Sequence, residues 1–553
     1  MLVGLVSRGM LRRENGWIII AIAIALLVSS PVLVILSSVF ADTGTVWQHL
    51  VSTVLKGYVD HSLLLMLGVA IGTSLIGIST AWLVTLCRFP GVRWLSWAML
   101  LPMAAPAYIL AYTYTELLEY YGPVQTLLRD WNGWMSAEDY WFPPIRSLFG
   151  AILMLTLVLY PYVFLLARSA FLNQSIVTLE ASRSLGCNPW ASFFKVALPM
   201  ARPAIMSGLA LALMEALNDF GTVDYFAVPT FTTGIYRTWL NMGERLAACQ
   251  LAGCLLGFVV VLIVVERWSR GQAKYYQTAH RVHQQPRYEL IGWRSIAACT
   301  TCFLPLLFGF LIPAGVLLQM AWENWQVTFN GDFWAWGWNS FTLAGLTALI
   351  ATGLAVILSY GLRLKPTWGV RSATQLASMG YAIPGSVIAV GILFPIGSLD
   401  NAIDAWSRAT FNISTGLLLS GTIAATIFAY LVRFLAVSFN AVDSNLVKIK
   451  PSLDDAARSL GHGTTSTLLR IHLPLLRSGL LTAMTLVFVD VMKELPATVI
   501  VRPFNFDTLA VRVYNLASDE RLAEAAGAAL AIVGVGLIPV ILLSWQMSHR
   551  PAE

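Results

Sequence analysis

Four carboxylates lie in or at the ends of apolar stretches, in two pairs of equal spacing: Glu215 with Asp219, and Asp490 with Glu494. Residues four apart on a helix share a face, so each pair would form a two-carboxylate stripe. A charge inside a membrane is costly and usually faces a cavity or a partner. The stripes are therefore candidates for lining or gating a pathway. Two other uses compete. Lys493 lies within a turn of Asp490 and Glu494 and could hold them in a salt bridge, a purely structural role. Direct coordination of a hard cation is the third, since oxygen donors suit hard metals; Tyr112, Tyr114, Tyr225, Tyr236 and Asp224 offer more of them. Outer-leaflet tyrosines are expected as interfacial anchors in any case. Most of these are assigned to anchoring, and no metal site is assigned.

Catalytic constellations are missing from the sequence. Gly461-His-Gly-Thr-Thr-Ser466 is glycine-rich but lacks the lysine of a phosphate-binding loop, and no HExxH stretch or spaced Cys/His set occurs. The cysteines at 87, 187, 249, 254, 299 and 302 fall in or beside apolar segments. Small packing residues are their simplest reading, the CxxC spacing of Cys299 and Cys302 included.

What must position the acids is a set of membrane helices. The chain has 553 residues, 57% hydrophobic and 12% charged, with mean hydropathy +0.70. A soluble domain carries about 25% charged residues, so lipid is the main solvent here. Apolar segments are read at about 17–40, 63–86, 95–116, 148–171, 202–218, 248–265, 296–320, 340–362, 372–396, 413–436, 479–495 and 523–545. Each is expected to be helical, because hydrocarbon offers the backbone no hydrogen-bond partner. The fifth and eleventh read as short. This gives an all-α integral membrane protein of about twelve spans, with a first module at 1–266, a basic linker at 267–294 and a second module at 295–553. The linker carries Arg267, Arg270, Lys274, Arg281, Arg287 and Arg294, whereas 322–339 carries no Lys or Arg. The positive-inside rule then places both termini and the linker in the cytoplasm. The net charge of +6 sits in loops between spans, with no basic stripe for nucleic acid. The outer segment Glu119 to Arg146, rich in Trp, Tyr and acids, reads as an interfacial surface.

A duplicated polar loop ties the halves together. Glu180-Ala181-Ser182-Arg183-Ser184-Leu185-Gly186 returns as Asp455-Ala456-Ala457-Arg458-Ser459-Leu460-Gly461 at a constant offset of 275. Leu198-Pro199 and Leu473-Pro474 follow at that same offset. Each copy reads as a short helix ended by glycine, a turn, and a second stretch closed by Leu-Pro, lying across the cytoplasmic face. Pro106 in the third span and Pro384 in the ninth form another matched pair, expected to kink their helices beside a pathway between parallel repeats.

The loops resemble the signature of binding-protein-dependent ABC importer permeases, Glu-Ala-Ala, three residues, Gly, then a more distant Leu-Pro. The matches are Glu180, Ala181, Gly186, Leu198 and Pro199, then Asp455, Ala456, Ala457, Gly461, Leu473 and Pro474. Ser182 and Asp455 depart mildly from the pattern. A finer resemblance is to fused two-module ferric iron permeases. It rests on Arg88-Phe-Pro-Gly91, Leu101-Pro102, Ala111-Tyr-Thr-Tyr114, Tyr160-Pro-Tyr162, Asn218 to Val223, Thr232 to Trp239 and Lys493 to Thr498. Thiamine permeases and the related sulfate and molybdate permeases are alternatives. The resemblance implies a type I importer fold and an inner-membrane location. It also implies docking of the loops on two cytoplasmic ATPases that hold ATP and Mg2+, cargo from a periplasmic binding protein, and no cofactor on this chain. A secondary transporter driven by an ion gradient is the rival from another class, and it would need no docking loops.

Overall fold

The computed structural model describes residues 2–41, 44–174, 181–182, 184–270 and 288–548. The chain is an all-α integral membrane protein. Among the described residues the only extended pairing joins Cys87–Arg88 to Tyr288–Glu289 in parallel. Among the described residues eleven helices are long and apolar enough to cross a membrane. The count is twelve if Val92–Ala104 and Ala107–Asn132, bent by 91°, form one broken span. Most of the expected segments fall on one of these, but the ninth, 372–396, straddles Trp368–Ala377 and the start of Gly385–Phe411, and the tenth, 413–436, begins before Ile423–Leu446. The fifth and eleventh are not short, however: they run over Trp190–Asn218 and Thr464–Met492. Their N-terminal turns are polar, so hydropathy alone truncated them.

The chain forms two compact units, and they cut across the sequence modules. One comprises Met1–Gly44, Ile235–Gly253 and Trp334–Val511; the other comprises Thr45–Gly234, Cys254–Phe333 and Arg512–Glu553. Within the first unit, the N-terminal helix Leu2–Ser38 packs on Trp368–Ala377 and Gly385–Phe411. Gln250 Nε2 donates to Ala41 O at 2.8 Å, closing the end of that helix. Within the second unit, Ile312–Glu323 packs on Leu522–Ser548, and Trp293–Leu306 lies against Leu55–Leu86. The leading span of each sequence module thus belongs to the unit built around the other module's central spans. The central part of the linker, 271–287, lies outside the described residues; its end forms the short pairing with Cys87–Arg88.

Lipid tails are as apolar as leucine, so helices in a membrane associate by close packing rather than by exclusion of water. Leu55–Leu86 packs along Leu148–Leu172 through Gly68 and Gly72, where a Cβ would lie 2.6 Å from Ile152 and Thr156 side-chain atoms. The core beside this seam is aromatic and aliphatic, with Tyr160, Phe164 and Phe171 fully buried among Ala81, Leu95 and Ala167.

Candidate functional site

The two polar loops share one backbone design. Ala181 and Ser182 are helical, and the second copy is the helix Ser452–Ser459; Glu180 lies outside the described residues. Gly186 has φ +83° and Gly461 φ +82°, with open space where a Cβ would stand. The requirement for glycine is therefore conformational rather than steric. Cys187 N–H donates to Ser182 O at 3.0 Å and His462 N–H to Ala457 O at 2.9 Å. Both helices thus end in the same reversed turn, which satisfies a terminal carbonyl. The glycine-rich Gly461 to Gly463 is this turn.

The second arm of each loop is not closed by Leu-Pro, as the sequence suggests. Pro189–Ser192 continues through a π turn at Phe193–Ala197 into Leu198–Asn218, with Pro199 in the first turn. Thr464–Thr467 likewise runs through Leu468–His472 into Leu473–Met492, with Pro474 in the same place. Proline lacks an N–H, and the widened turn absorbs the missing bond without breaking the helix. Loop and span are one rod. Leu185 and Leu460 are exposed at the tips, 85% and 79% accessible. Ser182, the departure from alanine, has its hydroxyl buried 2.8 Å from that of Ser192, tying the two arms of the first loop. In the second loop the tie is ionic. Asp454 Oδ2 accepts from Arg363 Nε at 2.8 Å, and Asp454 Oδ1 lies 2.6 Å from the buried His472 Nε2.

Pro106 and Pro384 do not sit inside kinked helices. Each is the residue that starts a new one, after a 3-10 turn (Leu101–Ala104 and Gly380–Ala382) and one extended residue, Ala105 or Ile383. Proline disfavours helical geometry in its predecessor, which makes the interruption a true break.

The four acids have separate surroundings. Asp219 follows the helix Leu198–Asn218 and accepts from the N–H groups of Thr222 and Val223, both at 3.1 Å, and from the Thr222 hydroxyl at 3.0 Å. Glu494 follows Leu473–Met492 and accepts from Ala497 N–H at 3.0 Å. Each acid therefore caps the short helix that follows, Gly221–Tyr225 or Pro496–Val501. Such carboxylates are favourable at helix N-termini. Asp490 pairs with Lys493 at 3.2 Å. Glu494 does not use Lys493 but pairs with Arg433, the two side chains only 4–5% exposed. Gly385 allows this pair its place, since a Cβ there would lie 2.6 Å from Glu494 Oε1. Tyr430 and Thr498 join their hydroxyls at 2.6 Å beside it. In the second module the four-residue stripe is thus divided between two partners, Lys493 and Arg433. Glu215 and Asp490 lie a turn back, partly buried.

The tyrosines divide as well. Tyr112 is fully buried rather than at a lipid boundary, with Tyr225 at 4.5 Å between ring centroids. Tyr114 donates to Phe308 O at 2.6 Å. Tyr514 donates to Asp224 at 2.7 Å, and Arg146 lies over the Tyr225 ring while pairing with Glu119 at 2.5 Å. Among the described residues no group of three or more His, Cys, Asp or Glu side chains is arranged to hold a metal ion. Sequence reasoning missed Arg433, Asp454, His472 and Arg363. A lone arginine within Ile423–Leu446 was a readable signal, because a charge in a span needs a partner. Nothing in the local sequence marks Asp454, which stands one residue before the motif.

Comparison with known proteins adds four findings. Residues 73–270 match the family described as the binding-protein-dependent transport system inner membrane component. The chain is 26% identical over 490 residues to the Fe(3+)-transport system permease protein FbpB 2 of Haemophilus influenzae, covering 88% of each chain. It is 22% identical over 545 residues to the ferric transport system permease protein FbpB of Actinobacillus pleuropneumoniae, covering 93% of this chain and 75% of that one. A shorter likeness, 26% over 198 residues, is to the molybdenum transport system permease protein ModB of Escherichia coli, covering 35% of this chain and 83% of that one.

Proposed function

We propose that this chain is a fused, two-module permease of a ferric iron importer, akin to the inner-membrane components of binding-protein-dependent transport systems that residues 73–270 match. It is a multi-pass inner-membrane protein and a transport component. In this reading both termini are cytoplasmic, and the two loops ending at Gly186 and Gly461 dock on two ATPase subunits. Those subunits bind ATP and Mg2+, while this chain hydrolyses nothing and holds no cofactor of its own. A periplasmic protein delivers the cargo, which passes transiently between helices. Asp219 and Glu494 serve gating by holding the short helices at the ends of the fifth and eleventh spans, and the breaks at Pro106 and Pro384 let neighbouring helices move. Iron is substrate here, not a resident group.

The observation that carries the coupling role is the repeated loop: two glycine-ended helices with matching φ, each feeding a rod that enters the membrane. Support for iron comes from relatives of that name that match most of the chain's length. The likeness to a molybdenum permease favours an oxyanion as the second reading. Uptake assays in a strain lacking this chain separate the two. Radiolabelled ferric iron uptake is expected to fall and to return on complementation. Unchanged iron uptake with lost molybdate, sulfate or thiamine uptake would overturn the substrate. Co-purification with a cytoplasmic ATPase tests the rest; a chain that accumulates cargo without one, driven by an ion gradient, would overturn the importer.

A further inference from the structure

The lobe between Glu119 and Arg146 is folded with its polar groups inward. Gln125, buried, donates from Nε2 to Leu118 O at 2.7 Å. Arg129 Nη1 donates to Tyr120 O at 2.7 Å and to the Tyr140 hydroxyl at 3.1 Å, and that hydroxyl donates to Gln125 Oε1 at 2.5 Å. The Arg129 guanidinium also lies 4.1 Å from the Tyr120 ring centroid, and Trp134 stacks on Tyr140 at 4.8 Å. The apolar side chains take the other side. On the helix Pro123–Asn132, Val124, Leu127, Leu128 and Trp131 recur at the spacing of a single helix face. Leu127 is 62% and Trp131 82% accessible, and Tyr121, Met135 and Trp141 of the same lobe are exposed. A lobe surrounded by water would have the reverse polarity, and clustered exposed apolar groups mark a surface that something covers.

The place of the lobe in the fold says what covers it. Its two ends meet where Arg146 Nε pairs with Glu119 at 2.5 Å, two residues before the span Leu148–Leu172 begins. This sets the lobe at the membrane–water boundary, at the end of that span away from the polar loops. Phe149 and Leu153, in the first turns of the span, are exposed too, so lipid-facing surface starts at the same level. Amphipathic helices with Trp and Leu on the apolar face settle at this depth. Charge does not draw the lobe there: Glu119, Asp130, Glu138 and Asp139 outnumber Arg129 and Arg146, and both arginines are engaged within the lobe.

We propose that Pro123–Asn132 is an interfacial helix lying in the membrane surface, with Val124, Leu127, Leu128 and Trp131 against the acyl chains of lipid. Through Gln125 it holds the end of Ala107–Leu118, the helix that starts at the Pro106 break, so that one end of this helix is fixed at the membrane surface. The anchor is independent of the cargo.

The test uses the full chain in phosphatidylcholine nanodiscs, where both membrane faces are open to a charged, water-soluble maleimide. Residues 119–146 contain no native cysteine, so an introduced thiol is read on its own peptide by mass spectrometry. Each rate is normalised to that of the same variant unfolded in SDS. Asp130→Cys and Glu138→Cys are expected to label readily. Leu127→Cys and Trp131→Cys should lag by about 10-fold, a population ratio within what burial of such side chains supports. Equal rates overturn the proposal, as does a lag that appears only with anionic lipid. Protection that requires an added binding protein would assign the stripe to a protein partner and overturn it as well. Coverage by the chain itself is tested with Val124→Cys. Adding Leu127→Asp and Trp131→Asp should release the helix from lipid and raise Val124→Cys labelling several-fold; unchanged protection overturns the anchor.

Discussion

At an offset of 275 the two modules present the same backbone feature with different chemistry around it. Asp219 and Glu494 each cap a short helix after a long one. Around Glu494 stand Arg433, Tyr430 and Thr498; around Asp219 the corresponding residues are Val158, Leu155 and Val223. The second module satisfies its acid with a buried ion pair and the Ala497 N–H. The first leaves the acid half-buried on backbone N–H groups and a threonine, beside packed tyrosines. The comparison teaches that duplication preserved what the backbone needs, namely a capped helix start, and left the side-chain solution free to diverge. The same holds in the loops, where matching glycine turns coexist with the Asp454 ion pair in one copy and leucine at the aligned position 179 in the other.

The sharpest way to break this comparison is to give the second module the first module's residue. Arg433→Val leaves Glu494 buried and uncompensated, and should cost about 3–5 kcal/mol. Thermal unfolding in detergent would read this loss, and pairing the change with Glu494→Gln should recover much of it. An Arg433→Val protein as stable as wild type would mean that the ion pair holds nothing. A medium effect tests what the modules share. Gly186→Ala and Gly461→Ala force a Cβ into left-handed geometry, costing about 1–2 kcal/mol at each loop. Hydrogen exchange at the two turns should rise by similar amounts; a clear inequality would show that the backbone design is not common to both. The smallest effect sharpens the contrast in charge. Arg88 and Glu289 also form an ion pair, at 3.5 Å, but both side chains are 68% exposed. Arg88→Ala should change stability by less than about 1 kcal/mol, against the large loss at Arg433.

Some of this was legible in the residues and some was not, for physical reasons. Twelve spans could be read because hydrocarbon imposes length and apolarity on each segment separately. Gly186 and Gly461 could be read because a left-handed turn selects glycine. Pro106 and Pro384 announced an interruption, but a proline alone does not say whether it kinks a helix or starts one. Asp219 and Glu494 looked like a pathway stripe with their neighbours four residues back. Their capping role depends on the chain turning immediately after them, which spacing does not encode. Asp454, Arg363 and His472 are brought together from separate spans, and no local pattern links them. Span positions also say nothing about which helix packs on which, so the exchange of leading helices between compact units lay beyond the sequence.

That exchange has a consequence in time. The helix Leu2–Ser38 precedes by more than half of this sequence the helices it packs on, Trp368–Ala377 and Gly385–Phe411. At translation rates of about 5–20 residues per second, the first helix waits on the order of tens of seconds for its neighbours. A run as apolar as Gly16–Ser38 can persist in lipid during that wait. The Ile312–Glu323 segment depends less on waiting: besides its later partner Leu522–Ser548, it packs on Ala107–Leu118, which is already made. Assembly therefore starts in one unit while the other still lacks most of its chain.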